Sequence, residues 1–490
     1  MKSRNIFVQK ILEFEKSFDV LSLKYKGVHI WPIIRHQLTQ ENSNLLNKRS
    51  PKKKLNWKGQ LVDYIYKYLN YYHEIFRLNT IKKRVNVISF SNISGQYIKK
   101  GDQLFSKFTD SLRILIPNAN IIEVVNTHEK LKGIPKPFFS TQKLRKYYLA
   151  KNKTSNHSTI EINFTLLNRE LLKFNLPQIN QTKLENDLIL FDSYSETFDK
   201  VNRIILPKIN IVSCFYDLSV FAFTYSSFKL GIEVLELQHG QQGENHPMYT
   251  HWNIFPENGY KIIPKKFATW GEESTIRINK WFHKSNYHKA FTIGNPWMII
   301  NRLNLFENIK TEQDKNYFNQ LIKNKEEGVL NILYCMQPFE EISMIFPEFM
   351  LEVMKEMEHV VWYLRLHPKM NNRNLIIDHL ESHNIVNYEI NKSSEIDLFS
   401  IAKTNAISKN ITHFSSVAYE LLNFDIKSVI ISEQGKHEMK KAIESNTFAY
   451  ANNNASLKDA ITSRANEVIK KDYIIDNKQL LITTIQSFLK

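Results

Sequence analysis

The chain has 490 residues, too many for one hydrophobic core, and so implies two domains. A hydrophobic share of 42% and an aromatic share of 12% are ample for packed cores and exclude a disordered chain. Its 66 Lys and Arg against 49 Asp and Glu, a net charge of +17, favour an anionic partner; the lack of zinc-finger spacing, ribonucleoprotein motifs and long arginine-rich tracts argues against nucleic acid.

Residues 1–84 read as an N-terminal cap. Phe7, Ile11 and Phe14 recur at helical spacing, and Gly27 to Arg35 reads as a short strand that runs into a helix at Pro32. Arg35 is expected to be a surface or ion-paired residue. In 51–85, Pro51-Lys-Lys-Lys precedes Leu61, Tyr64, Ile65, Tyr68, Leu69, Tyr72, Ile75 and Phe76, an apolar and aromatic stripe at helical spacing. Two readings stay open for it: a core-facing helix with a solvated basic side, or an amphipathic helix on an anionic membrane surface.

From residue 85 strands and helices alternate, which argues for a doubly wound parallel sheet. The expected elements are strands at Val85–Phe90, Ile121–Val125, Leu188–Phe191 (ending in Asp192), Ile209–Tyr216 (ending in Asp217) and Ile232–Leu237, with helices at Asp102–Leu115 and Ser219–Leu230. Residues 130–185, with Lys143, Lys146, Lys151 and Lys153, interrupt the rhythm as a partly helical insertion. Between 259 and 298, apolar triplets end in Gly, Asn or Pro turns, and Gly294-Asn295-Pro296 reads as a hinge.

A second doubly wound unit begins at Val329–Met336. Strands follow at Val360–Leu366, Ile385–Tyr388, Asn410–His413 and Ser428–Ile431, with helices near Ile345–Met357, Leu375–His383, Ser394–Ala402 and Ser415–Leu422. The expected domains are the cap over 1–84, a first Rossmann-like domain over 85–298, a second over 299–474, and a helix over 475–490 packing back on the first. Cys214 and Cys335 sit in apolar runs and read as reduced core residues of a cytosolic protein. Without a signal-like N-terminus or an apolar stretch approaching the ~20 residues of a membrane span, the expected location is the cytoplasm, including the inner face of its membrane.

The strongest candidate site follows the strand Ile232–Leu237. There an apolar run gives way to Gln238-His-Gly-Gln-Gln-Gly-Glu-Asn-His246-Pro, and such a loop at the carboxyl end of a parallel strand is where ligands bind in open α/β sheets. His239, His246 and His251 can hold or move a proton near neutral pH, with Glu236 and Glu244 beside them. In the second domain polar residues end three strands: Gln337; Arg365-Leu-His367-Pro; and His413-Phe-Ser415-Ser416. Ser415 and Ser416 open a helix whose free N–H groups suit a phosphate oxygen, His367 can donate a hydrogen bond or proton to a leaving phosphate, and Glu420 can accept from ribose hydroxyls.

These motifs resemble the GT-B glycosyltransferases of bacterial capsule, O-antigen and lipooligosaccharide assembly, from about residue 85 onward; Trp31-Pro-Ile-Ile-Arg35 resembles their N-terminal signature. The His-Pro and Ser-Ser pair is similar to the motifs with which bacterial sialyl- and polysialyltransferases hold the cytidine monophosphate of their donor. The resemblance implies an α/β GT-B fold, two Rossmann-like doubly wound domains facing a central cleft. It implies donor binding by His367, Ser415, Ser416, Glu420, Arg365, Gln337, Gly294 and Asn295, and acceptor binding by His246, Gln238 and Glu244. The acidic base motif of sialyltransferases has no clean copy here, so Asp217, His239 and Glu236 compete as the base.

The implied reaction moves a sugar, such as a nonulosonic acid from a CMP-activated donor, to a surface-polysaccharide or lipid-linked acceptor. No metal or other cofactor is expected, since the chain has no well-placed Asp-x-Asp triplet. Two alternatives remain: a CDP-glycerol or CDP-ribitol phosphotransferase of teichoic-acid type, since His-Pro recurs there, and a non-catalytic polysaccharide-assembly protein with a degenerate nucleotide fold.

Overall fold

The structure, a computed structural model, describes residues 4–42, 57–81, 85–91, 97–100, 103–126, 138–154, 162–240, 242–306, 311–463 and 473–490. The Pro51-Lys-Lys-Lys run and parts of the 130–185 insertion lie outside the described residues. Two compact units appear, residues 1–302 with 475–490, and residues 303–474.

The first unit opens with α1 (Arg4–Ser17), the small hairpin of β1 (Lys24–Tyr25) and β2 (Val28–His29), α2 (Trp31–Asn42) and α3 (Trp57–Ile81). Phe7, Val8, Ile11 and Phe14 of α1, and Trp31, Ile34 and Leu38 of α2, join the same buried core as the sheet behind them. The strands are β3 (Val87–Ser91), β4 (Tyr97–Lys100), β5 (Gln103–Ser106), β6 (Ile121–Val125), β7 (Phe138–Ser140), β8 (Ile209–Ser213), β9 (Glu233–Leu237), β10 (Lys266–Thr269) and β11 (Lys289–Thr292). Seven of these form a parallel sheet in the order β11-β10-β9-β8-β3-β6-β7. β3, β6 and β8 are buried along their whole length, as parallel strands covered on both faces must be.

Two expected elements are corrected. Leu188–Phe191 is no strand but part of a helix, Gln181–Ile205, because Leu184, Leu188, Phe191, Phe198 and Val201 form a buried stripe at helical spacing. Asp192 therefore sits in mid-helix, where it accepts from the Tyr25 hydroxyl at 2.7 Å and the Lys26 ammonium at 2.5 Å. The helix expected over 102–115 is restricted to Thr109–Leu115, because Gln103–Ser106 pairs antiparallel with Tyr97–Lys100 instead.

The second unit holds a six-stranded parallel sheet. Its strands are β12 (Leu330–Cys335), β13 (Val360–Arg365), β14 (Tyr388–Glu389), β15 (Lys409–Thr412), β16 (Ser428–Ile430) and β17 (Ala449–Tyr450), ordered β14-β13-β12-β15-β16-β17. The order reverses at β12, the topological switch point beside which ligands bind in such sheets. Its core gathers Ile332, Tyr334, Trp362, Leu364, Ile411 and Val429 with Met350, Val353 and Met354 of a covering helix.

The terminal helix Lys478–Ser487 belongs to the first unit, and the chain enters it along Trp270, whose carbonyl accepts from Ile475 N at 2.8 Å. Gly294 has φ +89°, and a Cβ there would lie 2.4 Å from the Ile475 carbonyl oxygen. Gly294→Ala is accordingly expected to cost about 1–3 kcal/mol and to loosen 475–490. Amide exchange localised to that segment checks it, and unchanged protection would contradict it.

Candidate functional site

At the carboxyl ends of β8 and β9 the first unit gathers titratable side chains in an apolar setting. Cys214, leaving β8, has φ +68°, a left-handed conformation rare for a residue with a Cβ. The bend carries the chain into Tyr216 and Asp217. Asp217 caps the helix Leu218–Lys229, its Oδ1 accepting from Ser219 N at 2.8 Å and from the Ser219 hydroxyl. Glu236 of β9 is 1% exposed; its Oε1 accepts from the Tyr249 hydroxyl and from Phe215 N at 3.3 Å, while Oε2 is buried without a hydrogen-bond partner. Burial pushes this carboxyl up to about 8, so at neutral pH it is mostly an uncharged acid.

His239, three residues further on, is the reverse case. Its Nε2 lies 3.3 Å from the Tyr216 hydroxyl and its Nδ1 is buried without a partner. Desolvation lowers it to about 4, so the ring is a neutral imidazole with residual surface exposed at the strand end. His246 is held well below its ordinary value by the same cause, and its ring lies 5.2 Å from Tyr216 and 4.8 Å from Tyr249. The Met248 N–H donates to His246 Nδ1 at 3.3 Å, so the neutral ring carries its proton on Nε2.

The loop that carries these residues is pinned from both sides by guanidinium groups. Arg35, 0% exposed, donates to the carbonyls of Pro247 (2.7 Å), Thr250 (2.8 Å) and His251 (2.9 Å), and lies 4.1 Å over the Trp252 ring. Its partner is the equally buried Glu15 at 2.5 Å, which also accepts from Trp31 Nε1 and Asn253 N. Of the two readings of Arg35, the ion-paired one holds and the surface one is corrected: the residue is a buried staple. Arg277 donates to the Gln242 carbonyl at 2.8 Å and to Glu244 at 3.2 Å. Gln238 is spent internally, its amide oxygen on Trp270 N at 2.7 Å and its amide nitrogen on the Gly240 carbonyl at 2.9 Å.

In the second unit Gln337 follows β12, Arg365 ends β13, and Ser415 and Ser416 follow β15. Arg365 Nη1 donates to the Ser393 and Ile396 carbonyls at 2.5 Å each, tying β13 to the chain beyond β14. His367 repeats the geometry of His246: the Lys369 N–H donates to its Nδ1 at 3.2 Å. In both His-Pro-X turns the proline has no N–H, so the next residue's amide fixes the tautomer and leaves Nε2–H as a donor. Burial and the Lys369 charge lower His367, keeping it neutral.

The helix expected to open at Ser415 spans Val417–Leu422; Ser415 Oγ accepts from Val417 N at 3.3 Å, and Ser416 Oγ donates to Glu420 at 2.9 Å. Glu420 is thus engaged by a serine one turn away. His413 belongs to the core, its Nε2 3.1 Å from the Tyr334 hydroxyl and 3.2 Å from the Ile345 carbonyl.

Within the first unit the structure brings together Asp217, Glu236, His239 and His246, and it adds three residues that sequence reasoning missed: Tyr216, Tyr249 and His36. His36 lies 5.9 Å from the Tyr216 ring and is lowered to about 4 by burial, against the pull of Asp217. Its position next to Arg35 in the Trp31–Arg35 segment was the available signal. His251, expected in the cluster, is set apart: it has φ +61° and stacks on Trp281 at 4.2 Å. Gly294 and Asn295 lie after β11, where Asn295 Oδ1 accepts from Trp297 N at 3.0 Å and Met298 N at 3.2 Å. Among the described residues no three His, Cys, Asp or Glu side chains gather as a metal site, and no helix is long and apolar enough to cross a membrane.

No protein-family model and no curated protein sequence matches the chain. In fold it is similar to the UDP-GlcNAc 2-epimerase from Neisseria meningitidis bound to UDP-GlcNAc, with 14% identity and a TM-score of 0.50 over 82% of this chain and 99% of that one. It is likewise similar to S. aureus MnaA with UDP (10%, 0.50, covering 83% and 97%) and to UDP-GlcNAc 2-epimerase from Methanocaldococcus jannaschii (14%, 0.50, covering 82% and 98%). The chain has the α/β, GT-B-like fold, two doubly wound parallel-sheet units, that these enzymes share.

Proposed function

We propose that the chain is a nucleotide-sugar-dependent glycosyltransferase that moves a sugar onto a bacterial surface-polysaccharide or lipid-linked glycan. The observation that carries this is His239, a neutral imidazole with an unpartnered Nδ1 at the end of a central parallel strand. Of the three candidate bases it is the neutral one with an uncommitted ring nitrogen, since Glu236 already holds a proton and Asp217 is committed to its helix cap. In this reading His239 deprotonates the acceptor hydroxyl. His246, its Nε2–H free to donate, orients that acceptor.

The second unit takes the donor nucleotide. His367 Nε2–H donates to the departing phosphate and the Ser415 hydroxyl to a phosphate oxygen, with Ser416 held on Glu420 beside them; neutralisation by such fixed donors needs no metal ion. Gln337 and Glu420 lie by the nucleoside. Arg365 acts by positioning, because its Nη1 is bound to two carbonyls. A CMP-linked nonulosonic acid is the donor we favour, on the His-Pro and Ser-Ser pair.

Calorimetric titration with CMP, CDP, UMP, UDP, GDP and dTDP tests the assignment. We expect micromolar binding of CMP and at least tenfold weaker binding in His367→Ala. Preference for CDP, with a phosphodiester in the product, would shift the reading to an alditol phosphotransferase. UDP preference with interconversion of free UDP-sugars and no transfer would replace it with an epimerase. No binding to any nucleotide would overturn the donor site and favour a non-catalytic assembly role.

A further inference from the structure

The first unit carries a surface that its proposed chemistry does not use. α3 packs its inner side, through Tyr71, Ile75 and Leu78, on the core. Its outer side leaves Tyr68 (42% exposed), Leu69 (64%), Tyr72 (54%) and Phe76 (70%) in solvent. At 100° per residue these four fall within roughly one 100° arc of the helix. A second helix, Gln142–Thr154, extends the patch: the Tyr147 ring lies 6.3 Å from Tyr68 and 4.4 Å from Tyr71, and Tyr148 lies beside it.

In sequence, residues 51–85 carry nine Lys and Arg against two acids, and Gln142–Thr154 carries five Lys and Arg and no acid. Lys146 and Lys151 are exposed and Lys67 is half-buried on the two helices that carry the aromatic rings. Glu74, 1% exposed, is paired with Arg77 at 2.9 Å and Lys143 at 3.1 Å, and lies 3.2 Å from His73 Nδ1. Glu196, on the neighbouring helix, pairs with Lys151 at 3.2 Å.

We infer that this face docks on an anionic lipid surface. Exposed tyrosines, a leucine and a phenylalanine on one helix arc are costly in water and suited to the headgroup boundary, where tyrosine hydroxyls stay wet and apolar carbons are buried. The surrounding lysines add attraction to anionic headgroups of about 1 kcal/mol each, or roughly fivefold in partition. A second copy of the chain fits worse, because a self-complementary contact would set two cationic faces against each other. The inference stands independently of which nucleotide the second unit binds.

Vesicle co-sedimentation of the full chain decides it, comparing phosphatidylcholine alone with a phosphatidylglycerol-rich mixture at low and high salt. Selective binding to the anionic vesicles, weakened by salt, is expected. Leu69→Ser with Phe76→Ser should lower the partition at least tenfold, and Lys67→Glu with Lys146→Glu similarly, with unchanged circular-dichroism melts. Should the apolar pair unfold the helix, the lysine pair alone still decides. Equal binding to phosphatidylcholine, absence of binding, or full binding by the lysine variant would each overturn the inference. So would a wild-type dimer in sedimentation velocity that the same substitutions convert to monomer, since the patch would then be a contact between copies.

Discussion

Replacing Arg35 by methionine is expected to destabilise the first unit by about 3–5 kcal/mol, the cost of leaving a buried charge without its partner. Glu15 is as buried as Arg35, and without the guanidinium its carboxylate would face only Trp31 Nε1 and Asn253 N in an apolar core. Three loop carbonyls, those of Pro247, Thr250 and His251, would lose their donor at the same time. Urea unfolding followed by tryptophan fluorescence measures the loss, since Trp31 and Trp252 both lie in this network.

The double variant Glu15→Leu/Arg35→Met separates the charge from the staple. Apolar replacement of a whole buried pair is often neutral, so stability should recover while the loop stays unpinned and its amides exchange faster than the parent's. Recovery of both would reduce Arg35 to a fold-stabilising role. Arg35→Lys should not restore the loop either, because one ammonium cannot reproduce the planar fork that spans Glu15 and the loop carbonyls.

Glu236→Gln is expected to change the pH dependence of stability, with its largest gain over the parent at alkaline pH. The Glu236 carboxyl is raised from an ordinary value of 4.5 to about 8. Between those values the native state binds a proton that the unfolded chain has lost, so stability falls as pH rises through this window. A shift of that size corresponds to on the order of 5 kcal/mol over the whole window, fully felt above about pH 8. Glutamine keeps an oxygen for Tyr249 and Phe215 N but cannot ionise, so its stability relative to the parent should climb from pH 5 to pH 9.

The histidines pull the other way. His239 and His36, lowered to about 4, destabilise the native state as pH falls below their ordinary 6.5, because the unfolded chain takes protons they refuse. That effect is common to parent and variant, so their difference isolates Glu236. Parallel stability curves between pH 5 and pH 9 would show that Glu236 is ionised in the native state, and the assignment of His239 as base would lose its argument.

Much of the site was legible locally. The strand Glu233–Leu237 ends where its apolar run meets Gln238-His-Gly, and chain order alone put His239 at a strand end. The His-Pro turns were equally legible, because proline removes the competing N–H whatever surrounds it. The helix Gln181–Ile205 was misread where four apolar residues in a short window look like a strand; the stripe becomes helical only over the longer span.

The sequence by itself determined the alternation of apolar strands and helices, hence two doubly wound parallel sheets, and the polar residues that end those strands, because both depend on neighbours within a few positions. Only the tertiary structure decided which of those residues are free to act. It committed Asp217 to a cap, Gln238 and Arg365 to backbone carbonyls and amides, and Glu236 to an uncharged state, through burial and through partners fixed by the fold. Arg35 shows the reason most plainly: the carbonyls it holds are more than 200 residues away, and no local pattern carries that contact.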